Sequence, residues 1–310
     1  MGERMRKDFY FESCGKGNIH CCEWLPNGQI RAVLQIVHGI AEHVYRYDHF
    51  ANFLNSKGIA VVAHDHMGHG KSIGRNGIRG YFHGGWFHAV EDAYRLLQST
   101  QAHFPGVPYI LFGHSMGSFV ARTILMEHPD CKLSGAIICG SAWQSKAPLA
   151  MALPICRLVC KIQGEQNESA FLQSLCFGSY NKRIEHPRTS TDWLSRDYKQ
   201  VDAYNADPLC GFTATAGLYR DMLTGIAHIQ KPEQLAKMDK ELPVYLVAGG
   251  DDPVGNYGSG MKQLKKAFED SGMKHVSLKL YPLCRHEILN EINRDEVYED
   301  TFDWIVHVLR

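Results

Sequence analysis

One short stretch of the chain combines a reactive side chain with a local pattern that would expose it. Ser115 lies between Gly113 and Gly117 in the pattern Gly-x-Ser-x-Gly. Residues 109–114 are apolar and rich in β-formers, whereas apolar residues within 116–127 recur at helical spacing. The stretch therefore predicts a strand, a sharp turn and a helix. Such a turn presents the serine hydroxyl as a nucleophile, and its glycines avoid collisions with the neighbouring strand and helix.

A serine hydroxyl is a weak nucleophile until a base accepts its proton, and a third group must orient that base. His286 lies in the loop that follows the predicted strand over residues 276–282. His275 precedes this strand and is therefore at the wrong end of it, and His307 lies inside the last predicted helix. We therefore expect His286 to be the base.

Two adjacent carboxylates compete for the role of the orienting acid. Asp251 and Asp252 end the predicted strand over residues 243–252. Asp252 is followed by Pro253, which fixes the turn and favours an extended backbone at the residue before it. Asp251 would then point to the opposite side, so we favour Asp252 as the acid.

The oxyanion of an acyl-transfer reaction requires two N–H donors. One is expected from Met116, which follows the nucleophile. The other is expected from the loop after the apolar run 32–39, which offers His38, Gly39 and Ile40. Gly39 allows the backbone to approach closely, and we predict that Ile40 supplies the N–H.

The pattern of the whole chain predicts a mostly parallel α/β sheet that is covered by helices on both faces. A hairpin is predicted over residues 8 to 26. Continuous apolar runs, typical of parallel strands, then alternate with helical patterns. These runs cover residues 32–39, 59–66, 109–115, 133–141, 243–252 and 276–282. The helical patterns lie over residues 49–57, around 86–97, after Ser115, over 261–271 and from 294 onwards.

One region interrupts this alternation and predicts an inserted helical cap. Residues 143–226 contain no β-rich run, which divides the chain into a first core part (1–142), the cap (143–226) and a second core part (227–310). Such a cap would lie over the carboxyl ends of the strands, where ligands bind in open α/β sheets. Its first segment is very apolar, and it either packs on its own domain or contacts lipid or an acyl chain.

Composition excludes several other classes. Lys plus Arg and Asp plus Glu both number 33, so there is no electrostatic signature of a nucleic-acid partner. The basic N-terminus is followed by no apolar segment, so we expect no secretory signal and a cytoplasmic protein. The ten cysteines show no Cys-x-x-Cys spacing, and we interpret them as buried, reduced thiols.

A histidine-rich stretch offers an alternative metal-based chemistry. His64, Asp65, His66 and His69 resemble the His-x-His-x-Asp-His motif of metallo-β-lactamase-like hydrolases, but Gly68 replaces the aspartate of that motif. One ligand of the second metal would be missing. We therefore predict no metal, and expect the stretch to form a fixed turn in which polar side chains bind backbone groups.

Taken together, the motifs resemble a known branch of the serine α/β-hydrolases, the monoacylglycerol lipases and lysophospholipases, which is grouped by fold with the proline-iminopeptidase-type serine aminopeptidases. The resemblance lies in HGIAEH (38–43), DHMGHGKS (65–72), GHSMG (113–117), DDPVG (251–255) and RHEILNE (285–291). It implies an α/β-hydrolase fold with the nucleophile, acid and base in the order found here. Residue 41 is alanine, where some relatives have glycine.

The resemblance implies hydrolysis of a medium or long acyl ester through an acyl-serine intermediate, with no cofactor and a small-molecule substrate. It implies Ser115 as nucleophile, Asp252 as acid, His286 as base, and Ile40 and Met116 as oxyanion donors. Two alternatives remain open. An aminopeptidase could use the same triad with an acidic cap residue, for which Glu165, Glu168, Glu185 and Asp192 are candidates. The fold could also serve as a binding protein without turnover.

Overall fold

The computed structural model of the chain describes residues 6–75 and 77–310. Eight strands form one sheet within these residues. They are β1 (Arg6–Glu12), β2 (Asn18–Trp24), β3 (Ala32–Val37), β4 (Ile59–His64), β5 (Tyr109–His114), β6 (Gly135–Cys139), β7 (Val244–Gly249) and β8 (Val276–Tyr281). Their order across the sheet is β1-β2-β4-β3-β5-β6-β7-β8. The first two pairings are antiparallel and the others are parallel.

The hairpin predicted near the N-terminus is confirmed. Arg6 pairs with Trp24 and Glu12 pairs with Asn18, so β1 and β2 run antiparallel along the edge of the sheet. The five residues Met1 to Met5, part of the segment from which the absence of a secretory signal was predicted, lie outside the described residues.

The central strands are buried along their whole length, as their continuous apolar runs predicted. Every residue of β3, β4, β5, β6 and β7 is buried. Strand β8 differs, because it is the edge strand beyond β7 and its residues are mostly half-buried. The prediction that β8 is covered on both faces was therefore wrong. Ser277 is exposed and Lys279 is half-buried, and because these residues share one face of β8, that face is only partly covered.

Ten α-helices lie between or after the strands in the described part of the chain. They are α1 (Asp48–Ser56), α2 (Trp86–His103), α3 (Met116–Glu127), α4 (Lys146–Gln163), α5 (Ala170–Phe177), α6 (Tyr198–Ala206), α7 (Ala216–Ile229), α8 (Pro232–Leu235), α9 (Ser259–Asp270) and α10 (Arg294–Val308). Short 3₁₀ turns occupy Val44–Tyr47, Gly70–Ile73, Tyr180–Arg183, Asp192–Leu194 and Ile288–Asn290. Apolar residues of α2, α3, α7 and α9 pack in one core, whereas those of α1 and α10 pack in a second one. The sheet is thus doubly wound, as predicted.

Among the described residues, the region between β6 and β7 contributes no strand to the sheet. It contains α4 to α8, together with an isolated bridge between Glu168 and Thr215. Helix α7 packs against α2 and α3 of the core as well as against α4, and residue 226 lies inside it. The cap boundaries at 143 and 226 stay a prediction. None of the helices described has the length and apolar character required to cross a bilayer.

The cysteines are free thiols, and most of them are buried. Cys14, Cys160 and Cys176 are half-buried, whereas the other seven are buried. Burial raises the pKa of the Cys156 thiol to about 11, which keeps it protonated at neutral pH.

Candidate active site

Ser115 occupies a sharp turn between strand β5 and helix α3. Its backbone has φ 52° and ψ −122°, a conformation that residues with a side chain rarely adopt. The surrounding structure must hold this strain, because the turn connects two buried elements directly. The turn leaves Ser115 half-buried, while His114 and Met116 on either side of it are buried.

The glycines that flank Ser115 are required by close packing. A Cβ on Gly113 would lie 2.5 Å from the carbonyl oxygen of Gly117. A Cβ on Gly117 would lie 2.0 Å from the carbonyl oxygen of Val37, at the end of the neighbouring strand β3. Both distances are shorter than any normal contact, so the predicted role of the two glycines is confirmed.

Asp252 and His286 are brought together from loops that follow β7 and β8. His286 Nδ1 lies 2.9 Å from Asp252 Oδ2, and both side chains are buried. Asp252 Oδ1 also accepts a hydrogen bond from the N–H of Val254, which fixes the carboxylate. Asp251 is exposed. Of the two adjacent carboxylates, the structure therefore places Asp252 next to the imidazole.

The environment of His286 stabilises the charged form of its imidazole, and its pKa is therefore higher than that of an ordinary histidine. Burial acts to lower the pKa of His286, but the charge of Asp252 and its hydrogen bond outweigh burial, and the pKa is raised above 6.5. An imidazole that is oriented by a carboxylate and has a raised pKa is a suitable proton acceptor for a hydroxyl group.

Ser115 and His286 line the same cavity, whose volume is about 370 Å³. Within the described residues, no hydrogen bond joins the Ser115 hydroxyl to His286. The proton transfer between them therefore stays a prediction. A second cavity of about 310 Å³ is also lined by Ser115, and it shares Ile40 and Phe177 with the first.

Of the two predicted oxyanion donors, Met116 follows Ser115 in the chain and Ile40 lines the same two cavities as Ser115. Met116 is the first residue of α3, where an N–H group has no acceptor inside the helix. Ile40 lies in the loop after β3 and lines both cavities. Among the described residues, its N–H donates to no backbone acceptor. Ala41, which follows it, has φ 55°, the left-handed region in which glycine is favoured.

Sequence reasoning missed several neighbours of the predicted triad. The imidazole of His286 lies 5.1 Å from the indole of Trp193 and 4.7 Å from the ring of His114, measured between centroids. Arg46 forms ion pairs with Glu42 and Glu287, and Glu287 follows the predicted base. The quoted motifs contain Glu42, His114 and Glu287, so a signal existed for these three. Trp193 lies in a cap segment without any recognisable pattern.

The histidine-rich stretch forms a buried turn. Asp65 accepts hydrogen bonds from the N–H groups of Val44 and Lys71 and contacts His20 Nδ1 at 2.7 Å. Burial lowers the pKa of His64 and of His69 to about 4, so both rings are neutral. The prediction that Asp65 binds backbone groups of a fixed turn is confirmed. In the described chain, the groups of side chains close enough to share a metal ion include none of residues 64–69.

The fold and this site define an α/β-hydrolase, with a serine on a strained strand-to-helix turn and a carboxylate–histidine pair beyond the following strands. The family model described as "Serine aminopeptidase, S33" matches residues 28–293. The chain belongs to this family.

Known relatives cover nearly the whole chain. Monoglyceride lipase of Mus musculus is 27% identical over 294 residues, which cover 93% of this chain and 87% of that protein. Monoacylglycerol lipase of Mycolicibacterium smegmatis is 29% identical over 306 residues and 97% of both chains. A thermostable carboxyl esterase from Bacillus coagulans, crystallised with glycerol, is 32% identical, with a TM-score of 0.91 over 98% of this chain and 99% of that one.

Proposed function

We propose that this protein is a serine hydrolase that cleaves carboxylic esters of medium or long acyl chains, of the monoacylglycerol lipase, lysophospholipase or carboxylesterase type. The observation that carries the proposal is the position of Ser115 on a strained turn that lines two cavities, one of which is also lined by a histidine hydrogen-bonded to Asp252. The names of the relatives support the same class of reaction.

The proposed reaction proceeds through an acyl-serine intermediate. His286, oriented by Asp252, accepts the proton of Ser115 while the serine oxygen attacks the ester carbonyl. The N–H groups of Ile40 and Met116 hold the oxyanion of the tetrahedral intermediate. His286 then donates the proton to the departing alcohol, and a water molecule repeats these steps to release the acid. No cofactor takes part.

The two cavities differ in the side chains that line them, and this difference supports an assignment of the parts of the substrate. Apolar side chains dominate the second cavity, among them Met116, Phe119, Leu149, Met222 and Ile226. The first cavity is also lined by polar side chains, including Gln173, Asn181, Ser190, Thr191 and Thr213. The acyl chain would therefore occupy the second cavity, and the alcohol would occupy the first one.

The cap offers a surface for peripheral contact with lipid, in a protein that we place in the cytoplasm. Met151, Leu158 and Ile162 of α4 and Phe171 and Leu175 of α5 expose half or more of their surface. Arg157 and Lys161 lie on the same helix, where they could bind anionic headgroups. A face of this composition would bring the cavities next to their substrates in a membrane.

An aminopeptidase requires a free acid near Ser115 to bind the amine of its substrate. Among the residues described, none of the four acids considered for this role lines either cavity. Glu165 pairs with Arg220, and Glu168 pairs with Arg79. We therefore prefer ester hydrolysis to aminopeptidase activity as the function of this site.

The test is hydrolysis of p-nitrophenyl esters across a series of acyl lengths, together with monoacylglycerols, lysophospholipids and a proline aminoacyl amide. We expect turnover of the longer esters and none of the amide, and loss of turnover by several orders of magnitude in Ser115→Ala. A fluorophosphonate probe should label the wild type but not this variant. Retention of esterase activity in Ser115→Ala would contradict the proposal, and an unlabelled, inactive wild type would indicate a binding protein.

A further inference from the structure

The loop that carries Ile40 is held by hydrogen bonds to its backbone groups on both sides of that residue. The N–H of Gly39 donates to Glu42 Oε1 at 2.6 Å, and the carbonyl of His38 accepts from His66 Nε2 at 3.1 Å. The carbonyl of Ala41 accepts from the N–H of Gly211 at 2.9 Å and from a cap tyrosine, Tyr204, at 3.1 Å.

The peptide group between Gly39 and Ile40 is held at its carbonyl end by the side chain of His38. His38 Nδ1 lies 2.7 Å from the carbonyl oxygen of Gly39, and the imidazole of His38 is completely buried. At its other end this peptide group carries the N–H of Ile40, a residue that lines both cavities. Because a peptide bond is planar and trans, its carbonyl and its N–H point in opposite directions. A bond that fixes the Gly39 carbonyl therefore also aims the Ile40 N–H.

The tautomer of His38 follows from its second contact. The backbone N–H of His66 donates to His38 Nε2 at 3.0 Å, so Nε2 must be the acceptor. The single proton of the neutral ring is then on Nδ1, where it can be donated to the Gly39 carbonyl. Burial, together with the neighbouring imidazoles of His66 and His69, lowers the pKa of His38 well below its usual range, which keeps the ring neutral.

We propose that His38 is a positioning residue for the oxyanion site: its Nδ1–H holds the Gly39 carbonyl and thereby directs the Ile40 N–H at the reacting carbonyl oxygen. The hydrogen bond at the carbonyl also polarises the peptide group and makes its N–H a stronger donor. The inference rests on the proposed ester hydrolysis, because the oxyanion forms in that reaction.

Two substitutions separate this role from simple packing. In His38→Asn the amide nitrogen can occupy the place of Nδ1 and still donate to Gly39. In His38→Gln the amide reaches the place of Nε2, so the contact with the His66 N–H is retained and the donor to Gly39 is lost. We expect His38→Asn to retain most of the wild-type kcat. We expect His38→Gln to lose about 10²-fold in kcat, the effect of removing one oxyanion donor, with little change in KM.

The affinity of a boronic acid that forms a tetrahedral adduct with Ser115 should fall in His38→Gln in proportion to kcat. Equal loss in both variants, or loss in neither, would overturn the inference. If both variants fail to fold, the ¹⁵N shifts of the His38 ring in the wild-type protein decide: a proton on Nδ1 supports the inference, and a proton on Nε2 overturns it. Activity in Ser115→Ala would instead refute the proposed function itself.

Discussion

The indole of Trp193 lies against the imidazole of His286, with 5.1 Å between the ring centroids and 41° between the ring planes. The backbones of the same two segments are also joined. The N–H of His286 lies 3.4 Å from the carbonyl of Trp193, and the N–H of Glu287 donates to the carbonyl of Leu194 at 2.7 Å. The cap thus contacts the loop of the proposed base directly, in addition to covering the cavities.

Replacing Trp193 by alanine should impair the base and move its titration. The loss of the indole leaves the imidazole less firmly oriented, and we expect kcat to fall by roughly tenfold, about 1.4 kcal/mol. Water admitted beside His286 would weaken the burial that lowers its pKa, so the acid limb of the rate profile should move to higher pH. Trp193→Phe keeps an aromatic ring and is the control. An unchanged kcat and an unchanged acid limb in Trp193→Ala would contradict this prediction.

The pH dependence of the wild type follows from the contact between Asp252 and His286. The base must be neutral to accept a proton, and the pKa of His286 is raised above 6.5. We therefore expect kcat/KM to fall as the pH decreases through a value above 6.5. In Asp252→Asn the raising influence is lost and burial remains, so the acid limb should move to lower pH while kcat falls by roughly 10⁴-fold. A limb that stays in place would mean that Asp252 does not govern this titration.

The local parts of the site could be predicted from sequence. The turn at Ser115 is encoded within a few residues by a β-rich run, two glycines and helical spacing. Asp252 could be preferred to Asp251 as the orienting acid because Pro253 restricts the backbone of the residue before it. Both signals come from residues that are close together in the chain, and patterns in such short stretches predict local structure well.

Contacts between distant segments could not be predicted in this way. Trp193 and His286 are separated by the remainder of the cap and by strands β7 and β8, and no pattern around Trp193 predicts the contact. The tautomer of His38 depends on a backbone N–H in another loop, that of His66. Likewise, the edge position of β8 depends on the order of strands in the sheet, which the apolar pattern of one strand does not encode.

A buried cluster of three charged side chains supports the loops of the proposed base and oxyanion donor. Arg46 donates to both carboxylate oxygens of Glu287, at 2.5 and 2.6 Å, and to Glu42 at 3.0 Å. Burial raises the pKa of Glu42. Burial acts in the same direction on Glu287, but Arg46 outweighs it and lowers the pKa of that carboxyl.

We expect Arg46→Ala to reduce the free energy of unfolding by about 3–5 kcal/mol, because it leaves buried carboxylates without a counterion. Glu42→Gln is the matched variant. It retains an acceptor for the N–H of Gly39, and it leaves Arg46 paired with one carboxylate, that of Glu287. We therefore expect a much smaller reduction in the free energy of unfolding. Urea denaturation followed by tryptophan fluorescence measures both values. Equal losses in the two variants would show that the charge balance of the cluster does not determine its stability.

The exposed apolar face of the cap should determine binding to membranes but not the chemistry. Leu158 and Ile162 of α4 are 57% and 73% exposed, and neither lines a cavity that contains Ser115. Each buried CH₂ contributes about 0.8 kcal/mol to membrane binding, so Leu158→Glu or Ile162→Glu should release the protein from vesicles of anionic phospholipid.

The matched control for these variants is Gln163→Glu, which adds the same charge to an exposed polar position at the end of the same helix. Vesicle sedimentation measures binding, and hydrolysis of a short, water-soluble p-nitrophenyl ester measures the chemistry. We expect the two apolar-to-Glu variants to lose sedimentation while keeping the short-ester kcat, and the control to keep both. If all three variants lose binding equally, charge alone explains the effect and the apolar face is not the lipid contact.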